Sequence, residues 1–305
     1  MHNSLLYLIT VFIWGSTWLA IKFQLGVVSP ELSVAYRFAL SAVILLVFSL
    51  FRRLSLRFGW RAHAFMALQG LFLFSLNYIL VYLAEGVLTS GLVAIIFSMI
   101  VIMNVVIGAI FLGNPVRINV VVGALVGFAG LTLVFWPELS SFDFSSERAL
   151  GMVLAFLAAA SASLGNIISA RNQRQRLPVI QTNAFGMAYG ALFMFVLALF
   201  RGAQLTFDPS AGYVLSLLYL AVFGSVIAFY AYLTLLGSIG PDRAAYVSVL
   251  FPIIALLLST LFEGMTWSLF QFAGVALVLL GNAVVLVKVR SVKKPQKMKG
   301  DSALP

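Results

Sequence analysis

In the run PELSVAYRFALSAVILLVFSLF, residues 30–51, every side chain from Val34 to Phe51 is uncharged except Arg37. A cation in apolar surroundings is costly, and such a group is a candidate for function by default. Two chemistries suit it. The guanidinium could fix the carboxylate of a substrate, or it could snorkel to a nearby surface, since helical rise puts it about 9 Å inward of Glu31.

Other residues have the chemistry of binding. Trp14 and Trp18 stand one helical turn apart with Thr17 beside them, and they form either a cavity wall or a packed or lipid-facing pair. Asn77, Tyr78 and Tyr82 offer an amide and two phenols, with 78 and 82 on one helix face; Asn77 could instead cap a neighbouring helix. Phe97, Ser98 and Asn104 follow, and Asn166 is the later counterpart of Ser16. An asparagine in mid-membrane needs a partner, which another helix supplies as readily as a substrate does. Tyr230 and Tyr246 could mirror the aromatic lining from the second half. Pro252 removes a backbone donor, so a kink is expected there.

Catalytic constellations are missing. His2 and His63 are the two histidines, too far apart in sequence to hold zinc as a helical pair. The nine acidic residues are placed at loops, helix ends or the tail, so no pair of carboxylates is expected inside the membrane. With no cysteine there is neither disulfide nor thiolate metal site. No catalytic residue, metal or cofactor is expected, and the chain does not read as an enzyme.

The elements that position these residues follow from composition. Hydrophobic residues make up 62% of the chain and charged residues 9%, with a mean hydropathy of +1.08. Soluble domains carry roughly a quarter charged residues, so this chain belongs in a bilayer. Spanning helices need about 20 apolar residues, and ten such stretches occur: 4–23, 32–51, 63–83, 89–112, 118–136, 149–170, 180–200, 212–236, 243–262 and 267–288. The first lacks the basic start and cleavage site of a secretory signal and reads as a retained helix.

The net charge of +10 is distributed by topology rather than as a nucleic-acid footprint, and no nucleic-acid partner is expected. Fifteen of the nineteen Lys and Arg residues fall in alternate loops and the C-terminal tail, while most acids fall on the other side. By the positive-inside bias both termini lie in the cytoplasm. The basic tail, 289–305, reads as an anchor to anionic lipid.

The chain also repeats itself. Gly113, Gly123 and Gly130 are echoed by Gly264, Gly274 and Gly281, each displaced by 151; Gly15 and Gly165 differ by 150, as do Tyr82 and Tyr232. The run LFR at 50–52 returns at 199–201, and Pro30 returns as Pro178. These echoes divide the chain into repeats at 1–140 and 141–288. Five helices per repeat is odd, so the second must enter the membrane inverted, a recurring transporter design. The predicted fold is an all-α integral membrane protein of ten transmembrane helices in two inverted repeats of five.

At this level the residues resemble a known family. FIWGSTWLAIKF (12–23), YLAEGVLTSGLVAIIFSMIVIMNVVIGAIFLG (82–113) and YLTLLGSIGPDRAAYVSVLFPIIALLLSTLFEG (232–264) are similar to stretches of the EamA family of the drug/metabolite transporter superfamily. The likeness extends over residues 4 to 288. It implies a ten-helix carrier of small metabolites, often an exporter of amino acids or related compounds, in a bacterial inner (plasma) membrane. The family commonly has glutamate after the glycine that closes the fourth helix; this chain has Asn114 there and Met265 at the matching place in the second repeat.

The expectation is therefore a secondary transporter working by alternating access, with a small-molecule substrate in a central aromatic-lined cavity and membrane lipid around it. Coupling to protons is poorly marked, so facilitated diffusion stays open. The alternatives are a channel, which would favour a continuous polar stripe, and a flippase for lipid-linked substrates.

Overall fold

The computed structural model describes residues 2–88, 90–140, 146–263 and 267–286; the basic tail lies outside them. Among the described residues all regular structure is helical: α1 (Asn3–Lys22), α2 (Pro30–Phe51), α3 (Trp60–Glu85), α4 (Ser90–Phe97), α5 (Ile100–Leu112), α6 (Ile118–Val134), α7 (Trp136–Ser140), α8 (Ser146–Arg174), α9 (Val179–Phe200), α10 (Ala211–Ile239), α11 (Pro241–Ala244), α12 (Val247–Glu263) and α13 (Leu269–Leu286). Seven helical runs are long and apolar enough to cross a membrane, and α6 and α13 are shorter apolar helices.

Local chemistry sets several boundaries. Ser29 accepts from the Leu32 amide ahead of Pro30, and Ser210 accepts from the Tyr213 amide at the start of α10. Both are side-chain caps for donors that have no intrahelical partner. Proline at the first helical position forgoes an amide that would be unpaired anyway. Gly113 closes α5 at φ 62° in the left-handed region, where a glycine avoids the Cβ penalty.

Two regularities expected from the sequence are interrupted. The stretch 89–112, read as one helix, breaks at Ser98–Met99, and the stretch 243–262 breaks at Ala245–Tyr246. The chain runs as helix through Pro252, so the interruption lies upstream of the proline. Within α3 and α10 the winding loosens to π-helix at Phe72–Leu76 and Leu220–Ile227. Apolar periodicity counts residues per turn only coarsely and cannot register one extra residue in a turn. Such π segments are rare and recur at functional sites.

The helices α6 and α13 pack along each other, as do α2 and α9. At the first seam the glycines meet reciprocally. A Cβ on Gly123 would stand 2.7 Å from the Gly281 carbonyl oxygen, and one on Gly281 would stand 2.6 Å from that of Gly123. Gly130 and Gly274 oppose each other in the same way, at 2.7 and 2.6 Å. Lipid supplies no hydrophobic drive between helices, so close backbone approach through small residues holds them together.

Candidate functional site

A cavity opens between α1, α2, α3, α8, α10 and the broken helices α4–α5 and α11–α12. Trp14, Thr17, Arg37, Asn77, Tyr78, Phe97 and Asn166 all line it. The volume of the cavity is about 80 Å³.

Leu73 of the first π segment lines the cavity, and the second π segment holds two lining side chains, Trp14 and Arg37, by hydrogen bonds. A π turn shifts the register of backbone hydrogen bonds, so carbonyls become available to side chains of neighbouring helices. Gly224 of α10 accepts from Trp14 Nε1 at 3.1 Å, and Ala221 accepts from Ser41 Oγ at 3.1 Å. In α3, Phe72 accepts from Ser161 Oγ at 2.7 Å. The Trp14 ring is then held against Phe229 and Tyr232, with centroids 5.0 and 4.9 Å apart.

Arg37 is the charged residue of the cavity wall. It is 1% exposed, which excludes snorkelling to a surface. Its Nε donates to Ser225 Oγ at 2.9 Å, and that hydroxyl in turn donates to the Leu220 carbonyl at 3.0 Å. The guanidinium lies 4.7 Å from the Tyr78 ring centroid and 5.3 Å from that of Phe38, within cation–π range. These contacts fix the plane of the group. Its Nη1 is buried and has no hydrogen-bond partner. The acid that sequence placed nearest, Glu31, is taken by Arg201 at 2.6 Å, and the described residues contain no ion pair to Arg37.

Two further polar atoms on lining residues are unspoken for. Asn77 Nδ2 donates to the Leu73 carbonyl at 3.4 Å and Asn166 Nδ2 to the Tyr232 hydroxyl at 2.9 Å, which leaves Oδ1 of each buried without a partner. Thr17 Oγ1 is engaged with the Trp14 carbonyl at 2.8 Å.

The other candidates lie elsewhere. Asn104 reaches across to α11, donating to the Pro241 carbonyl at 2.8 Å. Tyr246 is fully buried beside the glycine seam, and its hydroxyl donates to Gly123 O at 3.1 Å and Val278 O at 3.3 Å. Tyr82 is buried with its hydroxyl beside the Arg37 guanidinium but does not line the cavity, and half-buried Tyr230 is absent from the cavity wall. The Trp18 side chain lies outside the described residues.

Sequence reading passed over Phe229, Tyr232 and Ser248 as lining residues. A signal existed for two of them. Ser225, Phe229 and Tyr232 share the i, i+4, i+7 spacing of one helix face, and Tyr230 is turned away from it. Among the acids, one placed at a helix end has a buried carboxylate. Glu85 ends α3 with both carboxylate oxygens buried and without a hydrogen-bond partner, so a carboxylate does turn into the bundle from a helix end.

Away from the π segments a second set of contacts joins the two halves. Arg117 Nη1 meets Asp242 Oδ2 at 3.4 Å and donates to the Ile239 carbonyl, also at 3.4 Å. Arg174 donates to the Leu112 carbonyl at 2.8 Å and to Asn114 Oδ1.

Apolar helices of spanning length around a small, partly polar cavity define an integral membrane protein of the transporter type. The family model of the EamA-like transporter family matches residues 3–136 and again 149–287, and the chain belongs to that family. It is 29% identical over 287 residues to the uncharacterized inner membrane transporter YedA of Escherichia coli (strain K12), covering 93% of this chain and 90% of that one. With the uncharacterized transporter YvbV of Bacillus subtilis (strain 168) it shares 26% over 296 residues, 96% and 94% of the two chains. A crystal structure 22% identical in sequence superposes with a TM-score of 0.76, covering 93% of this chain and 96% of the other, which shows a shared fold.

Proposed function

We propose that this chain is a secondary transporter that carries small carboxylate-bearing metabolites, amino acids among them, by alternating access. The observation that carries the reading is Arg37. A buried guanidinium held at Nε by Ser225 and flanked by the Phe38 and Tyr78 rings, on a residue that lines the cavity and with Nη1 unpartnered, is suited to a substrate carboxylate. The size of the cavity favours a small metabolite over a lipid-linked substrate. Export, as the direction of net transport, follows the family resemblance rather than any residue.

Ten spans in two inverted repeats of five account for the architecture, with α4–α5 and α11–α12 each counted as one broken span. The π segments begin at Phe72 and Leu220, 148 residues apart by position, and the breaks at Ser98–Met99 and Ala245–Tyr246 are 147 apart. Packing partners exchange in the same way: α1 packs on α10 and α12, while α8 packs on α3, α4 and α5. Gly123 facing Gly281 and Gly130 facing Gly274 is the reciprocal contact expected across a two-fold axis. The repeats would be 1–140 and 141–288, in an inner membrane with both termini cytoplasmic, in line with the charge bias and with the name of the Escherichia coli relative.

Counterflow in proteoliposomes tests the reading. Preloaded amino acid should accelerate uptake of the same labelled compound and saturate, whereas a channel would show neither effect. Arg37→Gln should lower apparent affinity for carboxylate substrates at least about thirtyfold, and Arg37→Lys should recover only part of the loss because the planar fork is gone. Unchanged affinity in Arg37→Gln would sink the carboxylate reading. Single cysteines at Ser55 and Gln204 test orientation, the first expected to label only from the cytoplasmic side and the second from outside.

A further inference from the structure

Three helices close with the same backbone motif, and the residue in its left-handed position differs from one end of the bundle to the other. At the end of α2 the Arg53 amide donates to the Leu50 carbonyl and the Leu54 amide to that of Ser49. At the end of α9, Gly202 and Ala203 donate to Leu199 and Ala198 in the same way, and at the end of α8, Arg176 and Leu177 donate to Gln173 and Asn172. The turning residue has φ 52° at Arg53, 60° at Arg176 and 68° at Gly202. Glycine adopts that region freely, whereas a Cβ is crowded there. We propose that Arg53 and Arg176 form the centre of a binding patch for anionic phospholipid headgroups, which is why arginine stands where the backbone favours glycine.

The two arginines belong to one end of the bundle. Arg171, at the end of α8, lies 3.4 Å from the Phe65 ring centroid, and Asn172 donates to Gln69 Oε1 at 3.1 Å. Those contacts tie the 171–177 turn to the start of α3 and so to the 52–59 loop before it. Gly202 sits at the opposite end, where Arg201 meets Glu31 at the start of α2. Residues 52–61 and 171–177 hold seven arginines and no acid, and among the described residues none of the seven has an ionic partner. Arg52, Arg53, Arg57, Arg61 and Arg176 are exposed, and Phe51 and Trp60, 84% and 76% exposed, flank the first loop. Aromatic side chains beside cations at the ends of spanning helices suit the headgroup level of a bilayer, and cations placed there attract anionic lipid.

Two plainer explanations fail against the matched helices. Attraction to the negative end of a helix needs no cation at the turning position, because Arg52 already caps α2 and Arg174 stands in the last turn of α8. Helix α9 ends on the same LFR run as α2, has Arg201 as its cap, and completes the motif with glycine. A packing role is excluded by the exposure of both side chains. What separates Arg53 from Gly202 is the surface each meets: an acid-free one at the first, Glu31 close by at the second. Phosphodiester oxygens pair well with guanidinium groups. A bilayer presents them as an array at the depth of the helix ends, so several arginines engage together, which free phosphate does not offer.

Thermal unfolding of the full-length protein in nanodiscs separates backbone strain from lipid binding. Wild type and the Arg53→Gly/Arg176→Gly double variant are compared in phosphatidylcholine alone and with added phosphatidylglycerol. The basic tail is present in both, so its own attraction to lipid cancels. In phosphatidylcholine the double variant should unfold at least about 2 °C higher, because two left-handed positions gain glycine. Phosphatidylglycerol should raise the wild-type midpoint at least about 2 °C more than that of the double variant. Native mass spectrometry should count fewer bound phosphatidylglycerol molecules on the variant. The Arg53→Lys/Arg176→Lys pair keeps the charge and should keep most of the gain, and inorganic phosphate at constant ionic strength should reproduce none of it. Where the glycine variant does not yield monodisperse protein, Arg53→Asn/Arg176→Asn replaces it, since asparagine tolerates the left-handed region. An equal phosphatidylglycerol gain in wild type and the neutral variant overturns the proposal, as does a gain matched by free phosphate. A glycine variant less stable than wild type in phosphatidylcholine overturns it too, by showing that the arginines hold the helix ends themselves.

Discussion

The α6–α13 seam and the cavity are both places where the two matched segments of the chain meet, yet they are finished differently. At the seam, glycines bring backbones together and the Tyr246 hydroxyl reaches two carbonyls across it. At the cavity, Arg37, Asn77 and Asn166 each keep a buried polar atom without a partner. A contact with its groups satisfied resists change. A buried group left unsatisfied costs about 1–3 kcal/mol, and that cost is recovered when a ligand arrives. The seam is suited to holding the helices together and the cavity to accepting a substrate.

Substitutions should separate these roles, with the largest effect at the seam. In Gly130→Leu the new side chain would drive into the Gly274 carbonyl, where the opposing atom is backbone and cannot rotate away. Overpacking of this kind costs about 1–3 kcal/mol, and its upper end corresponds to a fall in Tm of roughly 5–10 °C. Fluorescence-detected size exclusion and thermal unfolding check it, and an unchanged Tm would contradict the tight seam.

Arg37→Gln should show the reverse pattern. Transport is lost at the cavity, but Tm should stay within about 2 °C of wild type or rise, because removing a buried charge without an ionic partner relieves desolvation. A collapse in stability would show that Arg37 holds the fold rather than the substrate.

The finest comparison lies within one helix. Tyr232→Phe removes the hydroxyl that accepts from Asn166 Nδ2, and affinity should fall roughly tenfold. Tyr230→Phe, two residues away and off the cavity wall, should stay within about twofold in the same counterflow assay. Equal effects would mean that the side chains lining the working cavity differ from those named above.

Much of the architecture was legible in the sequence, because apolar length and composition act locally. Stretches of about twenty apolar residues announce spanning helices whatever surrounds them, and the glycines at 123, 130, 274 and 281 announced close packing. Ser29–Pro30 and Gly113 marked helix ends through their own backbone chemistry. Seven lining residues were also nameable, since polar and aromatic groups in apolar helices need a reason to be there.

Tertiary structure decided the rest. Whether Arg37 snorkels or faces inward depends on what packs beside it, and Ser225, 188 positions away in the chain, holds its Nε inside the bundle. Tyr232 on α10 and Tyr246 in the break between α11 and α12 are the same residue type; which one meets a cavity and which one locks a seam depends on what packs opposite. The π turns at 72–76 and 220–227 shift hydrogen bonds by one residue, a change that apolar patterning cannot register. Sequence sets which groups are costly to bury, because that cost belongs to each side chain alone. Only the packed helices settle which of those groups find partners within the protein and which are left for a ligand.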